Sequence, residues 1–82
     1  MFYVYLLKSL KDNKYYIGQT EDINKRLMLH NKGKVISTKN RIPLKLIGFK
    51  TFETRNNARW FEYQLKNHSD KKYNFIKSLG VQ

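Results

Sequence analysis

The chain opens with Phe2, Val4 and Leu6 alternating against Tyr3, Tyr5 and Leu7, and a second β-branched and aromatic run, Tyr15-Tyr16-Ile17, follows shortly after. Between them lies Lys8-Ser9-Leu10-Lys11-Asp12-Asn13-Lys14, whose Asp-Asn centre suits a turn. The two runs predict a β-hairpin. Gly18 ends the second run, at a place where the backbone needs either a close approach or a positive φ. The two-residue period of a strand puts Tyr16 and Gly18 on one face, and Tyr15 and Ile17 on the other.

Thr20 through Gly33 reads as a first helix, capped by Thr20 or Asp22, with Glu21 and Asp22 at its positive end and Asn31-Lys32-Gly33 as its stop. Ile23, Leu27 and His30 share one side of it, and Arg26 and His30, four apart, stand next to each other. Lys34 to Lys45 is polar, basic and aperiodic, holds the single proline, Pro43, and reads as a loop. Residues 44–52 predict a third strand. Thr54 caps a second helix running to His68, with Ala58, Phe61 and Leu65 on its inner stripe. Asp70 falls in a polar connection, and residues 72–79 add a short third helix. The expected fold is therefore one α/β (α+β) domain over residues 1–82. Its order is β-β-α-β-α-α, with helices flanking a small three-stranded, mainly antiparallel sheet.

Composition narrows the chemistry. With no cysteine in the chain, disulfides, thiolate nucleophiles and cysteine-ligated zinc are excluded. His30 and His68 are too far apart in sequence to form a metal-site pair. The N-terminus has neither the basic start nor the cleavage site of a signal peptide, and no apolar run approaches the ~20 residues of a membrane span. A soluble cytoplasmic protein with no membrane partner is expected. Seventeen Lys and Arg against six Asp and Glu give a formal charge of +11. Self-repulsion of that size is most simply explained by a polyanionic partner, and nucleic acid is the leading class. Lys32, Lys34, Lys39, Arg41 and Lys45 form a basic run that suits a phosphate-contacting arm as well as plain solvated surface.

Among the acids, Glu62 stands out by elimination. Asp12 sits in a turn, Glu21, Asp22 and Glu53 next to helix starts, and Asp70 in a connection. Glu62 lies mid-helix, about 40° from the apolar stripe by helical periodicity. A partly buried carboxylate in a basic protein needs a cation, whether Lys, Arg or a metal ion. Four of the six tyrosines fall in the hairpin, where cross-strand packing and base stacking both account for them.

Tyr3-Val4-Tyr5, ten intervening residues and Tyr16-Ile17-Gly18 resemble the paired signature of the GIY-YIG nuclease domain. Arg26, Glu62 and Asn74, the last twelve residues after Glu62, fall at the family's positions, and Arg26-Leu-x-x-His30-Asn-x-Gly33 resembles its small stand-alone members. Tyr3 and Val4 replace the glycine and isoleucine of the first triplet. The resemblance implies a metal-dependent endonuclease acting on DNA, branched or otherwise structured DNA included. Tyr16 would activate water, Tyr5 would orient water or phosphate, and Arg26 would bind nonbridging oxygens. Glu62 would ligate one Mg²⁺ or Mn²⁺. His30 would assist proton transfer or touch phosphate, a packed or capping histidine being the alternative. Asn74 would hold a water or a phosphate, a turn or cap being the alternative. A non-catalytic nucleic-acid-binding module of the same fold is the alternative function. All of this requires the two phenols, the guanidinium and the carboxylate to meet at one pocket.

Overall fold

The computed structural model describes residues 1–80. Six elements follow in the expected order: β1 (Phe2–Ser9), β2 (Tyr15–Thr20), α1 (Ile23–Asn31), β3 (Leu44–Phe52), α2 (Arg55–Asn67) and α3 (Ser69–Ser78). The sheet is three-stranded and antiparallel, in the order β2-β1-β3, so β1 is the central strand. The hairpin turn uses Asn13 at φ 61°, and Ser9 Oγ accepts from the amides of Lys11 and Asp12.

Strand alternation sorts the side chains as the pattern predicts. Val4, Leu6 and Ile17 face α2 and α3, packing with Ala58, Leu65 and Phe75. Tyr5 and Leu7 face the other way and pack with Leu44, Leu27, Ile42, Leu46 and Tyr16. Both faces of the sheet are therefore covered, by α1 on one side and by α2 and α3 on the other. A bulge in β3 between the partners of Leu6 and Leu7 turns Ile47 toward the α2 side, while its neighbour Leu46 faces α1.

Three boundaries differ from expectation. The second strand runs through Gly18 to Thr20, because Gly18 pairs with Tyr5 and keeps the ladder going. The first helix begins at Ile23, with Asp22 as its cap accepting from the Lys25 amide, and Thr20 instead receives the Asp22 amide. The third helix begins at Ser69, which puts Asp70 in its first turn, where a carboxylate complements the helix dipole. No helix among the described residues is long and apolar enough to cross a membrane.

Candidate phosphate pocket at the edge of the sheet

Tyr5 sits on the α1 face of the central strand and is 2% exposed. Its register partner is Gly18, and an added Cβ there would run into the Tyr5 hydroxyl and ring. Gly18 thus serves a close approach, since no positive φ is found at that position. Against the other side of the Tyr5 ring stands His30, fully buried at 0% exposure. Its Nε2 lies 2.9 Å from the Tyr5 hydroxyl and its Nδ1 2.7 Å from Thr38 Oγ1. Burial, reinforced by the nearby Arg26 charge, pushes the His30 pKa down to about 4, so the ring is neutral at physiological pH. A neutral imidazole donates through one nitrogen and accepts through the other, and here both are used.

Tyr16 extends the cluster toward solvent. Its ring centroid lies 5.3 Å from that of His30 and 6.5 Å from that of Tyr5. Ser37 Oγ, from the loop after α1, donates to the Tyr16 hydroxyl at 3.3 Å. Across the open edge of β2, Lys66 Nζ approaches the Tyr16 ring to 5.8 Å from its centroid and pairs with Glu62 Oε2 at 2.8 Å. Although α2 packs on the opposite face, Lys66 lines one groove with both Tyr15 and Tyr16, which places it around the strand edge.

Arg26, Tyr16 and Glu62 all act on the Tyr5 phenol. Burial raises its phenol above the ordinary value, the adjacent Arg26 guanidinium pulls it down, and the Tyr16 and Glu62 charges push it up. Arg26 also presents a buried Nε–H with no hydrogen-bond acceptor. Tyr5, Tyr16, Arg26 and Glu62 therefore lie close enough for their charges to act on one phenol, with the Lys66 ammonium between Glu62 and the Tyr16 ring.

The remaining sequence-predicted residues fall elsewhere. His30, for which the sequence leaves proton transfer, phosphate contact and a packed or capping place all open, is packed, enclosed by the Tyr5 and Tyr16 rings and Thr38. Its Nε2 instead contacts the Tyr5 hydroxyl. Asn74 is exposed on α3 and lines a groove with Lys50, Phe61, Gln64 and Lys71, away from the two phenols. Arg41, expected on a phosphate arm, is engaged by Asp12 at 3.0 Å and by the Tyr15 carbonyl at 3.4 Å, tying the loop to the hairpin turn. Lys32, Lys34, Lys39 and Lys45 are exposed.

Three residues of the cluster were not singled out from the sequence. Lys66 carried a usable signal, since it lies four residues after Glu62 on a helix. Ser37 and Thr38 carried none, because their loop has no periodicity to orient them. Glu62 brings the only carboxylate of the cluster, and among the described residues no three His, Cys, Asp or Glu side chains come together.

Residues 1–74 match the family model described as the GIY-YIG catalytic domain. The UPF0213 protein CPE1444 of Clostridium perfringens is 37% identical over 84 aligned residues, covering 100% of this chain and 89% of the relative. The UPF0213 protein YazA of Bacillus subtilis is 41% identical, over 85% of this chain and 71% of its own length. The solution NMR structure of the UPF0213 protein BH0048 from Bacillus halodurans is similar with a TM-score of 0.57 and 34% identity, covering 96% of this chain and 85% of that one. Together with the β-β-α-β-α-α fold and the clustered signature tyrosines, these matches show that the chain belongs to the GIY-YIG family.

Proposed function

We propose that this chain is a nucleic-acid-binding GIY-YIG domain that seats a backbone phosphate between Arg26, Tyr16 and Lys66. The observation that carries the reading is the Arg26 Nε–H, a buried donor left without an acceptor. Such a group costs stability in the unbound chain, and a shift of the side chain that turns its donors outward would let a phosphate oxygen supply both the acceptor and the opposite charge. The formal charge of +11 provides the long-range attraction. Lys32, Lys34, Lys39 and Lys45 supply further exposed cations on the α1 loop and β3. Affinity for labelled DNA, followed by fluorescence anisotropy, should fall steeply with added salt and drop at least tenfold in Arg26→Met. Equal binding by Arg26→Met and the wild type would remove the pocket from the interface.

A second reading, phosphodiester hydrolysis in the same pocket, is favoured by the convergence of both signature phenols with Arg26 and Glu62. A lone carboxylate fits a Mg²⁺ or Mn²⁺ ion that keeps most of its waters and shares phosphate oxygens, with Glu62 as the protein ligand. Bound there, the ion would polarise the phosphate and stabilise the leaving oxygen. In this reading Tyr16, whose oxygen accepts from Ser37, takes a proton from water. Tyr5 fixes the pocket wall, and Arg26 binds the nonbridging oxygens. Against this reading stands Lys66, whose ammonium already neutralises Glu62 at 2.8 Å. Nicking of supercoiled plasmid that requires divalent ion and disappears in Glu62→Gln would establish hydrolysis. Tight binding without nicking would leave the binding domain as the function.

A further inference from the structure

Trp60 and Tyr63 stand three residues apart on the solvent side of α2, 61% and 57% exposed. Their rings are stacked, with centroids 5.7 Å apart and planes 16° from parallel. Tyr63 thus holds the indole plane in place from one side and leaves its other face open. An indole this exposed on a helix that already buries Ala58, Phe61 and Leu65 adds nothing to the core. Helical periodicity places Arg59 and Lys66 on the strip of α2 between this aromatic pair and Glu62. The order across the helix surface is therefore phosphate pocket, cations, aromatic pair.

We infer that the Trp60–Tyr63 pair is a stacking platform for an unpaired nucleobase, on a strand whose phosphates pass Lys66 and Arg59 on the way to the pocket. This rests on the phosphate-binding reading above and specifies the class of nucleic acid: single-stranded, or duplex with a flap or frayed end. The charge row selects a polyanion. The open, pre-oriented π face selects a base free of its partner, since a base inside a duplex already has both faces stacked. An acidic peptide would use the cations and leave the indole open, and a second copy of this chain would bring the same positive charge against itself.

Trp60 is the chain's only tryptophan, so its fluorescence reports on the platform directly. Titrating the full chain with a short oligothymidylate should quench the indole emission by more than half. A hairpin duplex of equal length should bind with little quenching. Trp60→Leu, a surface change that leaves the core intact, should lose about tenfold in affinity for the single strand and less than twofold for the duplex. Tyr63→Leu keeps the reporter and should weaken the single strand by a smaller factor. Unquenched binding of the single strand, or equal affinity in Trp60→Leu, would overturn the platform while leaving duplex binding and its Arg26 dependence intact. Failure of both nucleic acids to bind would overturn the phosphate reading as well. Quenching by polyglutamate, or emission that changes with protein concentration alone, would assign the surface to an acidic protein or to a second copy and would also overturn it.

Discussion

The Tyr5 phenol stands over Gly18 of the neighbouring strand, in the space that any other residue's Cβ would fill. The glycine of the second signature triplet is thereby a packing requirement of the first triplet's tyrosine. Gly18→Ala must push the Tyr5 ring off its seat and should cost about 1–3 kcal/mol of stability, as small-to-large changes in packed interiors do. Combined with Tyr5→Leu, which removes both the hydroxyl and the ring carbons in the way, the cost should be less than additive. Urea melts of the two single variants and the double variant check this, and strict additivity would dissolve the coupling.

Acid should unfold this protein by way of His30. The folded-state pKa is pushed down to about 4 from an ordinary 6.5 by burial and by Arg26, so the unfolded chain binds the proton first. The stability contributed by the neutral, buried ring is fully present above 6.5 and is lost as pH falls from there through about 4. With ~1.4 kcal/mol per pH unit, the loss over that window is about 3 kcal/mol. Asp12, also held low, adds its effect only below its ordinary value of 3.8. Chemical melts between pH 7 and pH 4, with an NMR titration of the His30 ring, test the assignment. A His30 titration midpoint near 6.5 would refute it.

Thr38→Val keeps the shape of the side chain and removes the partner of His30 Nδ1. A buried ring nitrogen left unpaired should cost roughly 1–3 kcal/mol. Thermal denaturation reads this directly. An unchanged melting temperature would mean that the His30–Thr38 contact does not help to hold Tyr5 in place.

Arg26 should trade stability for binding. Its Nε–H is buried without an acceptor, so Arg26→Met, which keeps the apolar stem, should raise stability by about 1 kcal/mol while weakening DNA affinity. Loss of stability and of binding together would point to a structural guanidinium instead.

Glu62→Gln removes the one negative charge at the pocket and releases Lys66 from its ion pair. In the absence of divalent ions, DNA affinity should then rise about two- to fivefold, the scale of a partly exposed charge pair. Anisotropy titrations in chelator measure it, and weaker binding by the variant would contradict the phosphate's proposed place.

Much of the fold was legible because it is periodic. The alternation from Phe2 to Leu7 assigned both faces of the central strand, and the Ala58–Phe61–Leu65 stripe assigned the buried side of α2. The segment between α1 and β3 was opaque for the opposite reason. Val35 and Thr38 are buried by tertiary contacts with no repeat to announce them, and Arg41 looked like free surface although it answers Asp12, 29 residues earlier. Of the candidate site, Tyr5, Tyr16, Arg26 and Glu62 were named through their resemblance to a family signature, whereas only the enclosure seen in the fold shows that His30 is packed. Nothing local distinguishes a histidine beside a phosphate from one sealed behind two tyrosine rings.

Placing β1 in the middle of the sheet also has a consequence for synthesis. Residues 2–9 leave the ribosome ahead of both of their sheet neighbours, and one of these, Leu44–Phe52, is translated more than thirty residues later. Until then a nascent chain carries Val4, Leu6 and Leu7 on a strand with one bare edge, the kind of surface that pairs with other chains. Completion of β3 should therefore be the step that commits the polypeptide to its own fold, and truncations ending before Leu44 should be found in aggregates.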